Sequence, residues 1–177
     1  DLRLNPEKGV SAAERLRTIT RQELQGMLME NSDEPHADVI ARAVVSKIKK
    51  GTAIDTTTKL REVIEEALEF LPEHEKKEAV KKTCQRTFQA LRIDVNSEFE
   101  VLYEFLEKLP NVLAKGGRAA ILTFHSGEDR LVKKSFKRLL REGVYQEIST
   151  DVIRPSAEEC RMNSRARSTK MRWAIKE

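Results

Sequence analysis

The residues best suited to chemistry are His125-Ser126-Gly127-Glu128-Asp129-Arg130, which directly follow the apolar run Ala119-Ala120-Ile121-Leu122-Thr123-Phe124. In open α/β sheets, ligands bind just beyond the carboxyl ends of the strands, so an imidazole, a hydroxyl and two carboxylates at this point could orient and hydrogen-bond a ligand. A purely structural role competes for the acids. Ser126-Gly127-Glu128-Asp129 fits a capping box with carboxylates in the first helical turn, where the helix dipole favours them. His125 is either satisfied by a backbone partner or placed for a ligand.

Two further groups could contact a polyanion. The segment from Arg161 to Arg172 contains Arg161, Arg165, Arg167, Lys170 and Arg172 and no acid. Arginine presents a planar fork to phosphate oxygens, so Asn163, Arg165 and Arg167, together with Arg130, are candidate RNA-contact residues. Arg86, Gln89, Arg92 and Asn96 recur at three- and four-residue steps, giving a polar helical stripe for phosphate or base contacts, or else an ordinary solvated face. The basic residues Lys133, Lys134, Lys137, Arg138 and Arg141 read as plain surface. No Gly-x-Gly-x-x-Gly, phosphate-binding Gly-Lys-Ser/Thr, His-Glu-x-x-His or nucleophile elbow is present. His36 and His74 stand alone, and no metal site is expected. Cys84 and Cys160 lie far apart outside any Cys-x-x-Cys pair, which excludes a zinc ribbon and a thioredoxin-like site.

These groups need elements to hold them. With 177 residues, the chain can form one full domain or two small ones. Its 39% hydrophobic and 35% charged composition suits a globular protein, and no run approaches the roughly 18 apolar residues needed to cross a bilayer. A cytoplasmic location is the expectation. A net charge of +4 permits a polyanionic partner without demanding one.

The first 83 residues read as helices. Ser11-Ala12-Ala13-Glu14 and Thr20-Arg21-Gln22-Glu23 are capping boxes, with Ile19 and Leu24 able to staple the second. Ala37, Ile40, Ala41, Val44 and Ile48 form one apolar stripe, closed by Gly51 as a left-handed cap. Leu60 to Leu71 repeat the pattern, Pro72 ends it, and Glu73–Lys82 reads as a linker or marginal helix. From about Arg86 the pattern alternates helix and strand. One long helix is expected through Phe88, Leu91, Val95, Phe99, Leu102 and Leu106. Residues 119–124 follow as a strand buried on both faces of a parallel sheet, and a helix follows at about 127–141. Tyr145–Ile153 and Lys170–Lys176 are the last candidate strands, the second alternating Met171, Trp173 and Ile175 with Arg172, Ala174 and Lys176. Three strands make a thin sheet, which hints at missing neighbours.

Taken together, Asp1-Leu2-Arg3-Leu4-Asn5-Pro6, Ser11-Ala12-Ala13-Glu14, Ile40-Ala41-Arg42-Ala43-Val44-Val45, Arg86 to Asn96, Phe124 to Arg130, Arg154-Pro155-Ser156 and Asn163 to Ser168 resemble the MraW-type 16S ribosomal RNA cytosine-N(4) methyltransferases in order and spacing. The resemblance spans essentially the whole chain. It implies an α/β fold: a partial Rossmann-like methyltransferase sheet made of its C-terminal strands at 84–177, plus an all-helical insertion domain at 1–83 that recognises RNA. It further implies methyl transfer from S-adenosylmethionine to the exocyclic amine of a cytosine in small-subunit ribosomal RNA, the cofactor segment lying upstream of Asp1 and the chain alone being inactive. His125, Ser126 and Asp129 would be the catalytic set, the first two orienting the base and Asp129 holding a neighbouring donor. Gly127 stands where the family usually has leucine, and Ser32-Asp33 replaces its usual Gly-Glu. Ribosomal RNA is the expected partner, with a homodimer left open and no membrane. A non-catalytic RNA-binding or ribosome-assembly module derived from such an enzyme is the alternative.

Overall fold

A computed structural model describes all of residues 1–177. The chain folds as two compact units, Asp1–Glu98 and Phe99–Glu177.

The first unit is helical, with α1 (Ala12–Thr18), α2 (Arg21–Ser32), α3 (Ala37–Lys49), α4 (Thr57–Ala67) and α5 (Glu73–Val95). Both expected capping boxes form. Ser11 accepts from the Glu14 amide while Glu14 takes the Ser11 amide at 2.8 Å, and Thr20 and Glu23 repeat the exchange. Such a cap contributes about 1 kcal/mol by satisfying amides that have no helical partner. The stripes on α2, α3 and α4 meet α5 in one core around Leu24, Leu28, Ile40, Val44, Ile64, Leu68 and Leu91, and Ile19 is buried with them. Gly51 ends α3 with φ +88°, a conformation that costs a side-chain-bearing residue but not glycine.

The helices differ from the local pattern in two places. Of the two readings of the charged stretch Glu73–Lys82, linker or marginal helix, the helix is the one found: the stretch forms the opening turns of α5, which runs unbroken for 23 residues. Val80 and Thr83 are buried there, and this tertiary anchoring outweighs the weak local pattern. The long helix expected from about Arg86 to Leu106 is interrupted at Asn96-Ser97. Asn96 caps α5, Ser97 takes φ +48°, and a new helix α6 (Glu98–Val112) begins. The change of pattern read at 83/84 falls midway along α5, and the helical unit runs on to Glu98.

The second unit contains most of α6, then β1 (Arg118–Thr123), α7 (Ser126–Arg141), β2 (Tyr145–Ile148), α8 (Ala157–Met162), a 3-10 helix η1 (Ser164–Ser168) and β3 (Lys170–Lys176). The sheet has the order β1-β3-β2 and both pairings are antiparallel, which corrects the expected parallel arrangement. An apolar run signals burial but carries no information about strand direction. β1 is also not covered on both faces: Ala119, Ile121 and Thr123 turn inward, whereas Ala120, Leu122 and Phe124 are exposed.

The inward face packs on α7 through Val132, Phe136 and Leu139, with Tyr145 and Ala174 completing the core. Phe136 meets Tyr145 edge-on at 5.5 Å between ring centres, a favoured aromatic geometry. On β3 the alternation is resolved with Arg172 and Ala174 as the buried members and Met171, Trp173 and Ile175 half-exposed. β2 ends at Ile148, sooner than expected, its register slips between Tyr145 and Glu147, and Ile153 touches β3 only as an isolated bridge to Met171.

Candidate functional site

The register of β1 against β3 decides which residues share an end of the sheet. Thr123 pairs with Lys170, and the Thr123 hydroxyl donates to the Lys170 carbonyl at 3.3 Å. His125 lies two residues past Thr123, and η1 ends two residues before Lys170. The segment 124–130 and the segment 163–168 are therefore at one and the same end of the sheet.

His125 is the N-cap of α7, which moves the capping box one residue upstream of the expected Ser126. Its Nδ1 accepts from the Glu128 amide at 3.4 Å, while the Glu128 carboxylate accepts from the Phe124 amide at 2.8 Å and the His125 amide at 3.4 Å. Burial alone would raise the Glu128 carboxyl, but the hydrogen bonds from His125 and the Phe124 amide outweigh it and hold the group below the ordinary carboxylate range. An imidazole that accepts at Nδ1 carries its proton on Nε2 when neutral. That Nε2 is buried and has no hydrogen-bond partner, its nearest acid being Glu128 Oε1 at 3.4 Å. A buried ring nitrogen left unpartnered is costly in a structural cap and useful in a group that orients a ligand. Phe99 closes over the ring with 5.8 Å between centres. Gly127 makes room for it, since a Cβ at Gly127 would sit 2.5 Å from Phe99 Cζ.

Asp129 is buried in the first turn of α7 and holds Arg172 by two hydrogen bonds of 2.7 and 3.2 Å, with Lys170 Nζ at 3.8 Å. Burial pushes its carboxyl up, but the Arg172 guanidinium and the nearby lysine charges prevail and hold it below the usual range. The donor expected beside Asp129 is thus Arg172. Reasoning from sequence missed it, because its burial follows from the β1–β3 register and not from the alternation of β3. Phe99 was missed as a wall of the site for the same reason, since nothing local ties it to Gly127. Ser126 and Arg130 are exposed at this end of α7.

On the other side of the pairing, Asn163 caps η1 by accepting from the Arg165 amide at 3.1 Å. Ala166 is buried and pins the segment, so Arg165 and Arg167 project from a short anchored helix and not from a loose loop.

The stripe on α5 makes contacts within the helical unit. Arg86 stands 3.8 Å from the buried Glu34 carboxylate, and Gln89 donates to the Asn31 carbonyl at 3.1 Å. Arg92 takes Glu98 in a two-pronged pair at 2.7 and 2.9 Å. Asn96 donates to the Leu2 and Arg92 carbonyls and accepts from the Leu4 amide at 2.7 Å, tying down the amino-terminal segment. These groups hold the unit together, and the carboxylates that engage them came from elements the helical spacing could not reveal.

Comparison with known proteins agrees with the motifs. The chain is 76% identical over 176 residues to ribosomal RNA small subunit methyltransferase H 1 of Lachnoclostridium phytofermentans, covering 99% of this chain and 48% of that protein. It is 66% identical to ribosomal RNA small subunit methyltransferase H 2 of Alkaliphilus metalliredigens, covering 50% of it, and 37% identical to the methyltransferase H of Thermotoga neapolitana, covering 55%. The chain spans about half the length of the curated relatives it matches. The model of the MraW methylase family matches residues 1–177, from the capped helices through the His125 and Arg165 segments, and the chain belongs to that family.

Proposed function

We propose that this chain is the RNA-engaging half of an S-adenosylmethionine-dependent methyltransferase that modifies the exocyclic amine of a cytosine in small-subunit ribosomal RNA. In support, the relatives it matches are named ribosomal RNA small subunit methyltransferases, and each is about twice its length. The observation that carries the reading is that His125 and the Arg165-Arg167 helix lie at the same end of the sheet.

The residues at this end do not suit a nucleotide cofactor. Asp129 is engaged by Arg172 and Lys170, Glu128 closes the cap of α7, and no glycine-rich loop lies beside them. The methyl donor is assigned to the remainder of the longer protein, and the sheet is read as the C-terminal strands of a Rossmann-like core. β1 is paired along one edge only, which suits a sheet that continues, and Leu122 and Phe124 on its outer face suit a further covering layer.

The work of this half is positioning. The two carboxylates in the first turn of α7 neutralise its positive end and disfavour a phosphate there, leaving that position to an uncharged base. His125 and Ser126 orient the base. Arg165, Arg167 and Arg130 take the backbone phosphates around it, and Asn163 holds η1 in place. A cytosine inside folded RNA must be unstacked to reach such a site, and phosphate contacts fix its register. The amine needs little acid or base assistance, because its proton can leave once the methyl has arrived, so correct placement governs the rate.

Binding of a small-subunit ribosomal RNA fragment across a salt series tests the reading. Replacing Arg165 and Arg167 by alanine is expected to weaken binding and to flatten the logarithmic salt slope by about 0.7–0.9 per arginine. An unchanged slope refutes it.

A further inference from the structure

On the outer side of α7, within the second unit, lies an open groove of about 610 Å³ between α6 and α7. Its floor is apolar. Leu131 and Leu140 line it, together with the small Ser135. Tyr103, on the α6 wall, is 58% exposed, so its ring is available from solvent.

The α7 rim carries Lys134, Lys137 and Arg141, spaced three and four residues apart and hence aligned along one edge of the helix. None of the three has an acidic partner. Elsewhere on the surface the chain does pair such groups, as in Lys59 with Asp55, Lys108 with Glu104 and Arg42 with Asp38. The one carboxylate lining the groove, Glu107, is held by Arg138. The groove therefore combines an unpaired row of cations with an exposed aromatic ring over an apolar floor. Backbone-tracking cations beside a stacking ring are the combination that binds single-stranded nucleic acid without sequence preference. An acidic peptide would satisfy the cations but would leave the ring without a π-face to meet.

We infer that the α6–α7 groove is a second RNA-contact surface, taking an unpaired strand with one base stacked on Tyr103 and its phosphates along Lys134, Lys137 and Arg141. The inference rests on the reading of the chain as an RNA-binding half-enzyme and extends it to the outer face of α7 from its middle to its C-terminal end. At 1.5 Å per residue, Arg141 lies about 24 Å along the helix from His125. A strand gripped here would be held well clear of the base-orienting end, adding affinity and not base selection.

The test is fluorescence anisotropy of a labelled oligo-uridylate 12-mer with the 177-residue chain over a salt series. Poly-glutamate of matched charge serves as competitor. Tyr103→Ala is expected to weaken binding about tenfold, since one base–aromatic stack is lost, and Tyr103→Phe to restore it. Replacing Lys134, Lys137 and Arg141 by glutamine should lower the salt slope by about 2. These side chains are exposed or rim groups, and circular dichroism of each variant checks that the fold persists. Wild-type affinity and slope in both variants, no oligo-uridylate binding by the wild type, or displacement by poly-glutamate as effective as by unlabelled RNA would each overturn the groove. Those results leave the Arg165 and Arg167 substitutions on ribosomal RNA as a separate test, so the groove and the sheet-end reading can fail independently.

Discussion

Removing the Asp129 carboxylate is the sharpest perturbation of the sheet-end geometry. The Asp129 and Arg172 side chains are only 12% and 8% exposed, and the two hydrogen bonds between them fasten the first turn of α7 to β3. Deleting one partner of a buried pair leaves an uncompensated charge at a cost of about 3–5 kcal/mol, which the residual exposure here trims to about 2–4 kcal/mol. Asp129→Ala should therefore lower the urea midpoint of the second unit by about 2 M, taking about 1–2 kcal/mol per molar for a unit of this size. Trp173, the only tryptophan, sits beside Arg172 on β3 and reports on this unit by fluorescence. Asp129→Ala combined with Arg172→Met removes both charges and should recover stability to within about 1 kcal/mol of the wild type. The pH dependence has a fixed sign. Because the folded-state value of Asp129 is held below its ordinary one, the stabilisation is fully present above about pH 4 and is lost as pH falls through the lowered folded value. The Asp129→Ala protein should show a shallower decline in that range. A cost below about 1 kcal/mol, or a double variant no better than the sum of the singles, refutes the buried clamp.

Other outcomes follow from the same contacts. His125→Ala should cost about 1 kcal/mol in thermal stability by removing the cap of α7, and His125→Asn should restore the stability because asparagine caps well. If RNA affinity returns with stability in His125→Asn, the imidazole has no role beyond the cap. Gly127→Leu should cost about 1–3 kcal/mol in urea unfolding by driving Phe99 off His125, and Phe99→Ala in the same protein should relieve most of that cost. Asn96→Ala should leave the α5–α6 turn without its tether to Leu2 and Leu4, and hydrogen exchange at the Leu4 amide should rise at least tenfold. Burial pushes the Cys84 thiol up, so at pH 8 it should react with iodoacetamide more slowly than free glutathione does.

The parts of this structure that were legible in the sequence are those fixed locally. Ser11 with Glu14, Thr20 with Glu23 and the apolar stripe from Ala37 to Ile48 each contain their whole signal within a turn or a helical face, and α1, α2 and α3 formed where expected. The strand from Lys170 to Lys176 was legible in its bounds and alternation, but not in which face turns inward. Its face is set by Ala174 and Arg172 packing against α7, and no residue inside the strand decides that. The opening of α5 was left between linker and marginal helix because its stability comes from the burial of Val80 and Thr83 and not from its own pattern. At the candidate site, His125 and the Arg165-Arg167 segment were visible by residue type and position. Arg172 and Phe99 were not, being brought in by strand register and by the space that Gly127 leaves. The contacts of the α5 stripe were not legible either, since Glu34 and Glu98 reach it from outside its helical face.

The central claim is that one end of the sheet was built to hold an unstacked base beside a gripped backbone. It is tested most directly by following the backbone amides of the isotope-labelled chain during titration with a short RNA hairpin bearing an unpaired cytosine. Shifts concentrated in residues 124–130 and 163–170, strengthening together with one affinity, are the predicted result. Saturable binding that leaves both segments unmoved would contradict it.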